Sequence, residues 1–250
     1  MTAQLRAELL KQRSTRTNLS LLSAMLGLVL LAVLLHGLAL PAEHLDSTSE
    51  QLTVVVGWGE KLGALFAALL GAMSITSEIR HGTIRPTFLV TPRRARVLAA
   101  KVLASMFFGA GFGLIATAVA AGGGSAALEI RGIENQLDAS AYSLFLAGGA
   151  GAAALWAAIG VGIGAVVRNQ VPALIGICAW LLFIEGLLVG DLVGAVGDVG
   201  RFLPGAAAAA ISGQDTDKLV APAVGLVLLA VYAAAAAVAG SLATARRDVV

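Results

Sequence analysis

The chain has 250 residues, of which 58% are hydrophobic and only 13% are charged. Together with a mean hydropathy of +0.88, this composition excludes an ordinary water-soluble domain, in which about a quarter of the residues are charged. The net charge of +2 favours no class of partner, and we expect a single membrane domain, residues 1–250, because several spans of about 20 residues leave no room for a large soluble domain.

Residues 2–17 predict a basic amphipathic helix that lies in the membrane interface, with its cations near lipid headgroups. Leucines fall near one face, and the rest is covered by Arg6, Lys11, Arg13 and Arg16. A merely solvated positive segment is the alternative. Residues 19–40 predict the first span, since their apolar run exceeds the roughly 7 to 15 residues of a signal peptide.

Residues 58–76 and 97–121 predict the second and third spans, on either side of a strongly basic loop. The acidic stretch 41–56 predicts an outside loop, and Lys61 is tolerable at the start of the second span if it snorkels to the interface. Three consecutive glycines at 122–124 predict the end of the third span, before a second acidic loop.

Residues 141–167, 171–188 and 219–243 predict the fourth, fifth and sixth spans. Between the last two, residues 189–213 consist of short apolar pieces broken by glycines, aspartates and the step Phe202-Leu203-Pro204-Gly205. No piece is long enough to span. We therefore predict a re-entrant segment of two short half-helices, which protein or water must cover.

Positive charge is unevenly distributed over these predicted loops. Only Arg131, Arg201 and Lys218 fall in the acidic loops. Because positive residues favour cytoplasmic loops, we predict a multi-pass protein of the plasma (inner) membrane with both termini cytoplasmic. Of the 17 Lys and Arg residues, those assigned to the inside are Arg6, Lys11, Arg13, Arg16, Arg80, Arg85, Arg93, Arg94, Arg96, Lys101, Arg168, Arg246 and Arg247.

No catalytic or metal-binding set of residues stands out. The sequence has no G-x-x-x-x-G-K-[ST] loop to hold a nucleotide phosphate, so we do not expect this chain to hydrolyse ATP by itself. The histidines His36, His44 and His81 lack the spacing of metal ligands. We therefore predict neither a catalytic residue nor a metal site.

Small residues and one acid stand out inside the predicted spans. Gly109 with Gly113, and Gly160 with Gly164, have the four-residue spacing that lets helices approach closely. Glu185 lies deep in an apolar run, where a carboxylate needs a partner, a proton or water. It either lines or gates a pathway, or it caps the half-helices that follow, and the sequence leaves both interpretations open.

The basic loop between the second and third spans contains the strongest functional motif. Residues 78–85 read Glu-Ile-Arg-His-Gly-Thr-Ile-Arg, and residues 91–94 read Thr-Pro-Arg-Arg. Paired charges there suit a docking surface, and Gly82 permits a sharp turn. The motif resembles that of permease subunits of ABC transporters of the type-2 exporter class, in which an acid, a base and a Gly-Thr step follow the second span and Thr-Pro-Arg precedes the third.

The resemblance covers the whole chain and implies an all-α membrane protein. It implies an interfacial N-terminal helix, six transmembrane helices, a cytoplasmic coupling helix within residues 78–92 and a re-entrant hairpin after the fifth span. The turn at Pro204 and Gly205 is similar to the Leu-Pro turn of that family. By resemblance, the residues that couple to the ATPase are Glu78, Arg80, His81, Gly82, Thr83 and Arg85.

The resemblance also implies the partners. Two copies of a separate ABC ATPase subunit would bind ATP and Mg²⁺, so this chain needs no cofactor and is not an enzyme by itself. A second permease copy, identical or related, would complete the path across the lipid bilayer. We expect no nucleic acid among the partners, and the resemblance does not name the cargo.

Two other function classes stay open. An ion-driven secondary transporter would show inverted repeats and several intramembrane ionisable groups, of which the sequence clearly offers only Glu185. A non-transporting membrane anchor or regulatory subunit is the other. An ordinary positive-inside loop accounts for Arg93, Arg94 and Arg96, but not for the pattern from Glu78 to Thr83.

Overall fold

The computed structural model describes residues 2–90, 93–189, 197–214 and 219–246, and within these residues it contains helices and no strand. Two helices come first. They are separated by Thr15, whose backbone is extended with φ of −81° and ψ of 116°. These helices are α1, Thr2–Ser14, and α2, Arg16–Ala39.

The approach to the next long helix is itself helical. Ser47 and Glu50 form a capping box, in which each side chain accepts a hydrogen bond from the other residue's backbone N–H. One turn, Thr48–Glu50, then leads through the π-helical segment Gln51–Val56 into α3, Trp58–Arg80. The chain continues with the short α4, Ile84–Val90, and the long α5, Arg94–Ile130.

Side-chain caps start both of the following helices. Asp138 accepts a 2.7 Å hydrogen bond from the backbone N–H of Ala141, and Asn169 accepts one from Val171. The helices are α6, Ala139–Val167, and α7, Gln170–Ala179, which continues through the π-helical segment Trp180–Ile184 into α8, Glu185–Val189. A 3₁₀ helix, Gly197–Phe202, precedes α9, Pro204–Ile211, and α10, Pro222–Arg246, is last.

Six of these helical stretches are long and apolar enough to cross a membrane, which confirms the predicted number of spans and identifies a multi-pass membrane protein. Their apolar faces remain largely uncovered on α2, α7 and α10, as expected where lipid is the solvent. The six stretches are Arg16–Ala39, Thr48–Arg80, Arg94–Ile130, Ala139–Val167, Gln170–Leu187 and Pro222–Arg246.

Hydrogen bonds between residues at or near the helix ends define two ends of the bundle. At one end, which we call the basic end, Arg80 Nη1 lies 3.5 Å from Gln170 Oε1, and Arg94 donates to the carbonyl of Thr244. This end holds α1 and α4. At the other, the acidic end, Arg131 Nη1 donates to the carbonyl of Gly37 over 2.9 Å.

The centre of the bundle is the crossing of α3 with α6, where small residues bring two backbones together. A Cβ built at Gly71 would overlap the carbonyl oxygen of Ala157, and one built at Gly160 would overlap that of Ala68. Gly109 and Gly113 on α5 also lie close to the backbone of α6, and Gly164 on α6 lies close to that of α3. The prediction that Gly109, Gly113, Gly160 and Gly164 are packing residues is therefore confirmed.

Two helices extend beyond the predicted limits of their spans, and the predicted break at residues 122–124 is wrong. α5 does not end at the glycines 122–124 but runs unbroken to Ile130, because Gly124 packs directly beside Val55 and Val56. Helical backbone also reaches further back before α3, since the predicted outside loop 41–56 is helical from Thr48 onward.

Some predictions fall outside the described residues. These include the first half of the re-entrant segment, residues 190–196, and Thr91 and Pro92 of the motif. Within the remainder of that segment, Pro204–Ile211 form α9, whose face against α6 and α10 is buried, and its re-entry into the membrane stays a prediction. The side chain of Arg85 and the residues Lys218 and Arg247 also lie outside the described part.

Candidate functional site

The predicted coupling residues begin where α3 ends. His81 is the C-cap of α3, and Gly82 follows with φ of +70°, a left-handed conformation that glycine adopts without strain. This turn redirects the chain into α4, where Pro86 falls in the first turn and therefore breaks no helical hydrogen bond. Thr87 Oγ1 donates to the carbonyl of Thr83 over 3.1 Å and ties the first turn of α4 to the preceding residue.

α4 has one apolar side turned inward and another turned outward. Ile84 is 4% exposed and packs with Ile75 and Leu98, whereas Leu89 is 82% exposed. Arg80, His81 and Thr83 are also exposed. α4 is therefore packed against the bundle through Ile84. Its exposed Leu89 lies at the basic end, together with exposed polar and basic residues.

Glu78, in contrast, belongs to an internal network of four charges, which we call the basic-end network: Glu8, Lys11, Glu78 and Lys101. Glu78 Oε1 lies 2.8 Å from the ammonium of Lys11 and 2.8 Å from that of Lys101. Glu8 accepts from the same two ammonium groups, each over 2.9 Å. The network joins α1, the end of α3 and the start of α5.

Burial makes this network costly to break. Lys101 is 1% exposed and also donates to the carbonyl of Ser74 over 3.1 Å. Beside it, Gln12 donates to Ser105 Oγ over 2.8 Å. Removing one partner of a buried ion pair leaves an uncompensated charge and typically costs about 3–5 kcal/mol.

The network also keeps the ammonium group of Lys11 charged. Partial burial lowers the pKa of Lys11, but hydrogen bonds from Lys11 to Glu78 and Glu8 raise it, and the net direction is above the ordinary value of 10.5. A raised lysine pKa contributes stability that is present below the ordinary value and is lost as pH rises through the folded value. Lys11 therefore supports the network across the neutral range.

No structural role was predicted for Glu8, and Lys101 was counted only among the cytoplasmic cations. Both residues nevertheless stand out in the sequence. Lys101 falls inside the apolar run of the third span, where a cation requires a partner. Glu8 is the only acid among the cations of residues 2–17. In the structure, Glu8 and Gln12 form the buried face of α1, while Leu10 is 64% exposed, because the polar face satisfies buried charges on α3 and α5.

Glu185, at the acidic end, caps α9. Glu185 Oε1 accepts hydrogen bonds from the backbone N–H groups of Gly205 at 2.6 Å and Ala206 at 2.9 Å, and Oε2 accepts one from Trp180 Nε1 at 3.0 Å. A carboxylate at a helix N-terminus satisfies free N–H groups there. Of the two interpretations of Glu185, the described contacts support the capping one.

The predicted turn residues have matching roles. Pro204 is the first residue of α9, where its missing N–H leaves no intrahelical hydrogen bond unmade. A Cβ at Gly205 would lie 2.6 Å from Glu185 Oε2. Glycine at this position therefore leaves the space that the carboxylate occupies.

A cavity of about 420 Å³ opens beside this cap, between α3, α6 and α9. We call it the acidic-end cavity, and its polar lining includes Glu60, Lys61, Trp156, Glu185 and Gln214, together with His36 and Thr53. Glu60 is only 4% exposed, and Glu60 Oε2 accepts a 3.2 Å hydrogen bond from Gln214 Nε2. Glu60 was not predicted to be a buried acid, because the second span was expected to begin at the membrane interface, around Trp58.

Across residues 2–90, 93–189, 197–214 and 219–246, no group of three or more His, Cys, Asp or Glu residues is placed to hold a metal ion. No known protein-family model matches the chain, and no curated protein is significantly similar to it.

Proposed function

We propose that this chain is the transmembrane subunit of an ATP-driven ABC exporter of the type-2 class. In this proposal it forms the substrate path and couples to a separate ATPase subunit through residues 78–92. The observation that carries the proposal is the pair of opposite exposures on α4, where Ile84 is 4% exposed and Leu89 is 82% exposed. An exposed leucine on a short helix, at an end of the bundle outside the apolar spans, can enter an apolar groove on a protein partner.

The energy source follows from the sequence. The chain has no phosphate-binding loop of the Walker type, so ATP and Mg²⁺ belong to the partner subunit in this proposal. Two such subunits and a second permease copy, identical or related, would complete the transporter. The proposed location is the plasma (inner) membrane, with the basic end and both termini cytoplasmic, because cytoplasmic loops are enriched in Lys and Arg.

The internal position of Glu78 refines the coupling set. Its carboxylate is engaged by Lys11 and Lys101, both at 2.8 Å, so we assign it to transmission rather than to direct docking. Movement of α4 would reach α1 and α5 through this buried network. Docking would fall to Leu89 with Arg80, His81, Thr83 and Arg85, and Gly82 would set the direction of α4.

Ion-driven transport is the second candidate, and one observation favours it. Glu60 is a second buried acid inside a span, 4% exposed, whereas the sequence clearly offered only Glu185. Buried carboxylates in spans carry ions or protons in many transporters. Transport that stops with a hydrolysis-defective ATPase subunit supports the exporter, and transport that stops only with an ionophore supports this alternative. A non-transporting anchor would transport under neither condition.

A substitution on α4 tests the docking step. We expect Leu89→Asp to weaken association with a candidate ABC ATPase subunit by at least about tenfold, because the interface would then bury an unpaired charge in place of an apolar contact. The measurement is co-purification from membranes, followed by ATPase activity that depends on this chain.

The matched control is Ile130→Asp. Ile130 is 76% exposed at the acidic end of α5, so this change adds the same charge at an equally exposed apolar position on the other side of the bundle. We expect normal association for the control. Equal association for both variants, at equal abundance in the membrane, would contradict the assignment of α4 as the docking helix.

A further inference from the structure

The two buried acids of the acidic-end cavity differ in how well they are satisfied. Glu185 accepts three hydrogen bonds, from Trp180, Gly205 and Ala206. Glu60 accepts one, at 3.2 Å from Gln214, whose amide also donates to Ser212 at 2.8 Å. A buried carboxylate can accept about four hydrogen bonds, so Glu60 has capacity left for a donor inside the cavity.

Trp156 provides an independent observation on the same cavity wall. Its side chain is 3% exposed, and its indole N–H has no hydrogen-bond partner within the part of the chain that the structure describes. Leaving a buried donor unsatisfied destabilises the folded protein. An occupant of the cavity that carries an acceptor oxygen would remove this cost.

The charges of the cavity favour a cation. Glu60 and Glu185 contribute two carboxylates, and Lys61 is the one cation among the described lining residues. The ammonium of Lys61 lies 5.2 Å from the ring centroid of Trp58, over its face, and Lys61 takes part in none of the described ion pairs. A cationic occupant would therefore meet two acidic side chains, neither of which forms an ion pair with Lys61 among the described contacts.

Size and apolar lining limit the occupant further. A volume of about 420 Å³ falls within the roughly 300–1,000 Å³ of small-molecule sites. Ala64, Leu181, Ala206 and Leu219 make much of the remaining wall. Such a wall accepts a hydrocarbon body, while the polar groups fix its orientation.

We infer that the acidic-end cavity binds a small organic ammonium ion that also carries a hydrogen-bond-accepting oxygen. The ammonium donates to the carboxylate of Glu60, the oxygen accepts from the indole N–H of Trp156, and the apolar body lies against the alanine and leucine wall. The interpretation of this ligand as the exported cargo rests on the proposed function. The binding site itself does not.

Three related probes separate the two polar contacts. The first, 2-amino-1-phenylethanol, has both the ammonium and the hydroxyl oxygen. The second, 2-phenylethylamine, lacks the hydroxyl. The third, 1-phenylethane-1,2-diol, replaces the amine by a neutral hydroxyl. Binding is measured by equilibrium dialysis against the full chain in lipid nanodiscs, and nanodiscs without protein correct for partition into lipid.

We expect the amino alcohol to bind at least about tenfold more tightly than the diol, because hydrogen bonds to charged groups contribute about 1.5–3 kcal/mol. We expect it to bind about two- to tenfold more tightly than phenylethylamine, as for a neutral hydrogen bond. Equal binding of all three probes, or binding no greater than to empty nanodiscs, would overturn the inference.

Two variants assign the contacts. Glu60→Gln should abolish the preference over the diol, and Trp156→Phe, which keeps an aromatic ring but removes the N–H, should abolish the preference over phenylethylamine. The control is Glu134→Gln at an exposed acid of the acidic end, which should change neither preference. Unchanged preferences in both site variants would overturn the inference. If Glu60→Gln fails to fold, Trp156→Phe and the three probes on the unaltered chain still decide it.

The experiment separates this inference from the proposed function. Binding is measured on the chain alone, without an ATPase subunit, so absent binding refutes the site and leaves the docking proposal standing. If the chain binds the amino alcohol but does not associate with an ATPase subunit, that result contradicts only the docking proposal.

Discussion

One ammonium group, that of Lys101, holds three helices together at the basic end. It is 1% exposed and contacts Glu8 on α1 at 2.9 Å, Glu78 on α3 at 2.8 Å and the carbonyl of Ser74 at 3.1 Å. Burial of a lysine is tolerated only when its charge is fully paired. The position of α1 is therefore set in part by these buried charges.

Substitution of this lysine tests the network. We expect Lys101→Met to lower the free energy of unfolding by about 3–5 kcal/mol, because the carboxylates of Glu8 and Glu78 lose a buried counter-charge. The measurement is the unfolding transition of the purified protein in detergent. The control, Arg96→Met, removes an exposed cation from the same helix and should shift the transition little.

The outcome that contradicts this account is an equal shift for Lys101→Met and Arg96→Met. In addition, Glu8→Gln should be less damaging than Lys101→Met, because the amide still accepts hydrogen bonds and Glu78 still faces both ammonium groups. A larger loss of stability in Glu8→Gln than in Lys101→Met would show that the network depends more on Glu8 of α1 than on Lys101.

At the scale of the element, α5 shows why glycine alone did not mark the end of a span. Glycine in a helix interior lowers helix stability by roughly 1 kcal/mol relative to alanine. For this reason a break was predicted at residues 122–124. A Cβ at Gly124 would lie 3.2 Å from Val56 and 3.4 Å from Val55, whereas one at Gly122 would meet nothing within 4 Å. Packing therefore explains Gly124, and nothing in the structure explains Gly122.

This difference predicts opposite results for two glycines that lie two positions apart. Gly122→Ala should be neutral or raise stability by up to about 1 kcal/mol, because alanine favours the helix and the space is open. Gly124→Leu should lower stability by about 1–3 kcal/mol through overpacking against Val55 and Val56. The measurement is again the unfolding transition in detergent, and Gly122→Leu is the control for side-chain size. Equal loss in Gly122→Leu and Gly124→Leu would contradict the packing account.

Features that depend on residues close together in the sequence were predictable, and contacts between distant residues were not. Six long apolar helices and the packing role of Gly160 follow from local composition and spacing, and they were predictable. The meeting of Glu8 with Lys101 was not, because it depends on how α1 folds back across α5. The same holds for Glu60 and Gln214, which are far apart in sequence and face each other only after α3 and α9 pack.

At the scale of the whole molecule, α3 links the two functional regions. It carries Glu78 of the basic-end network near its last residue and Glu60 of the acidic-end cavity near its first. These residues are separated by about 27 Å along a helix that rises 1.5 Å per residue. Tight packing of Gly71 against α6 makes α3 a stiff element, so a shift at one end is expected to reach the other as rigid-body movement.

Such coupling requires the two ends to face opposite sides of the membrane, with the basic end in the cytoplasm. We test this with single cysteines at Asp46 and Glu134 of the acidic end and at Thr83 of the basic end, each exposed, in a Cys178→Ser background. An impermeant thiol reagent added to whole cells should label the first two and spare the third, because cytoplasmic sites become accessible only after permeabilisation. Ser212, in the predicted outside region, is unsuitable because it is fully buried. Labelling of the cysteine at position 83 alone in intact cells would show that the orientation is the opposite of the predicted one. α4 would then lie on the side of the membrane that lacks ATP.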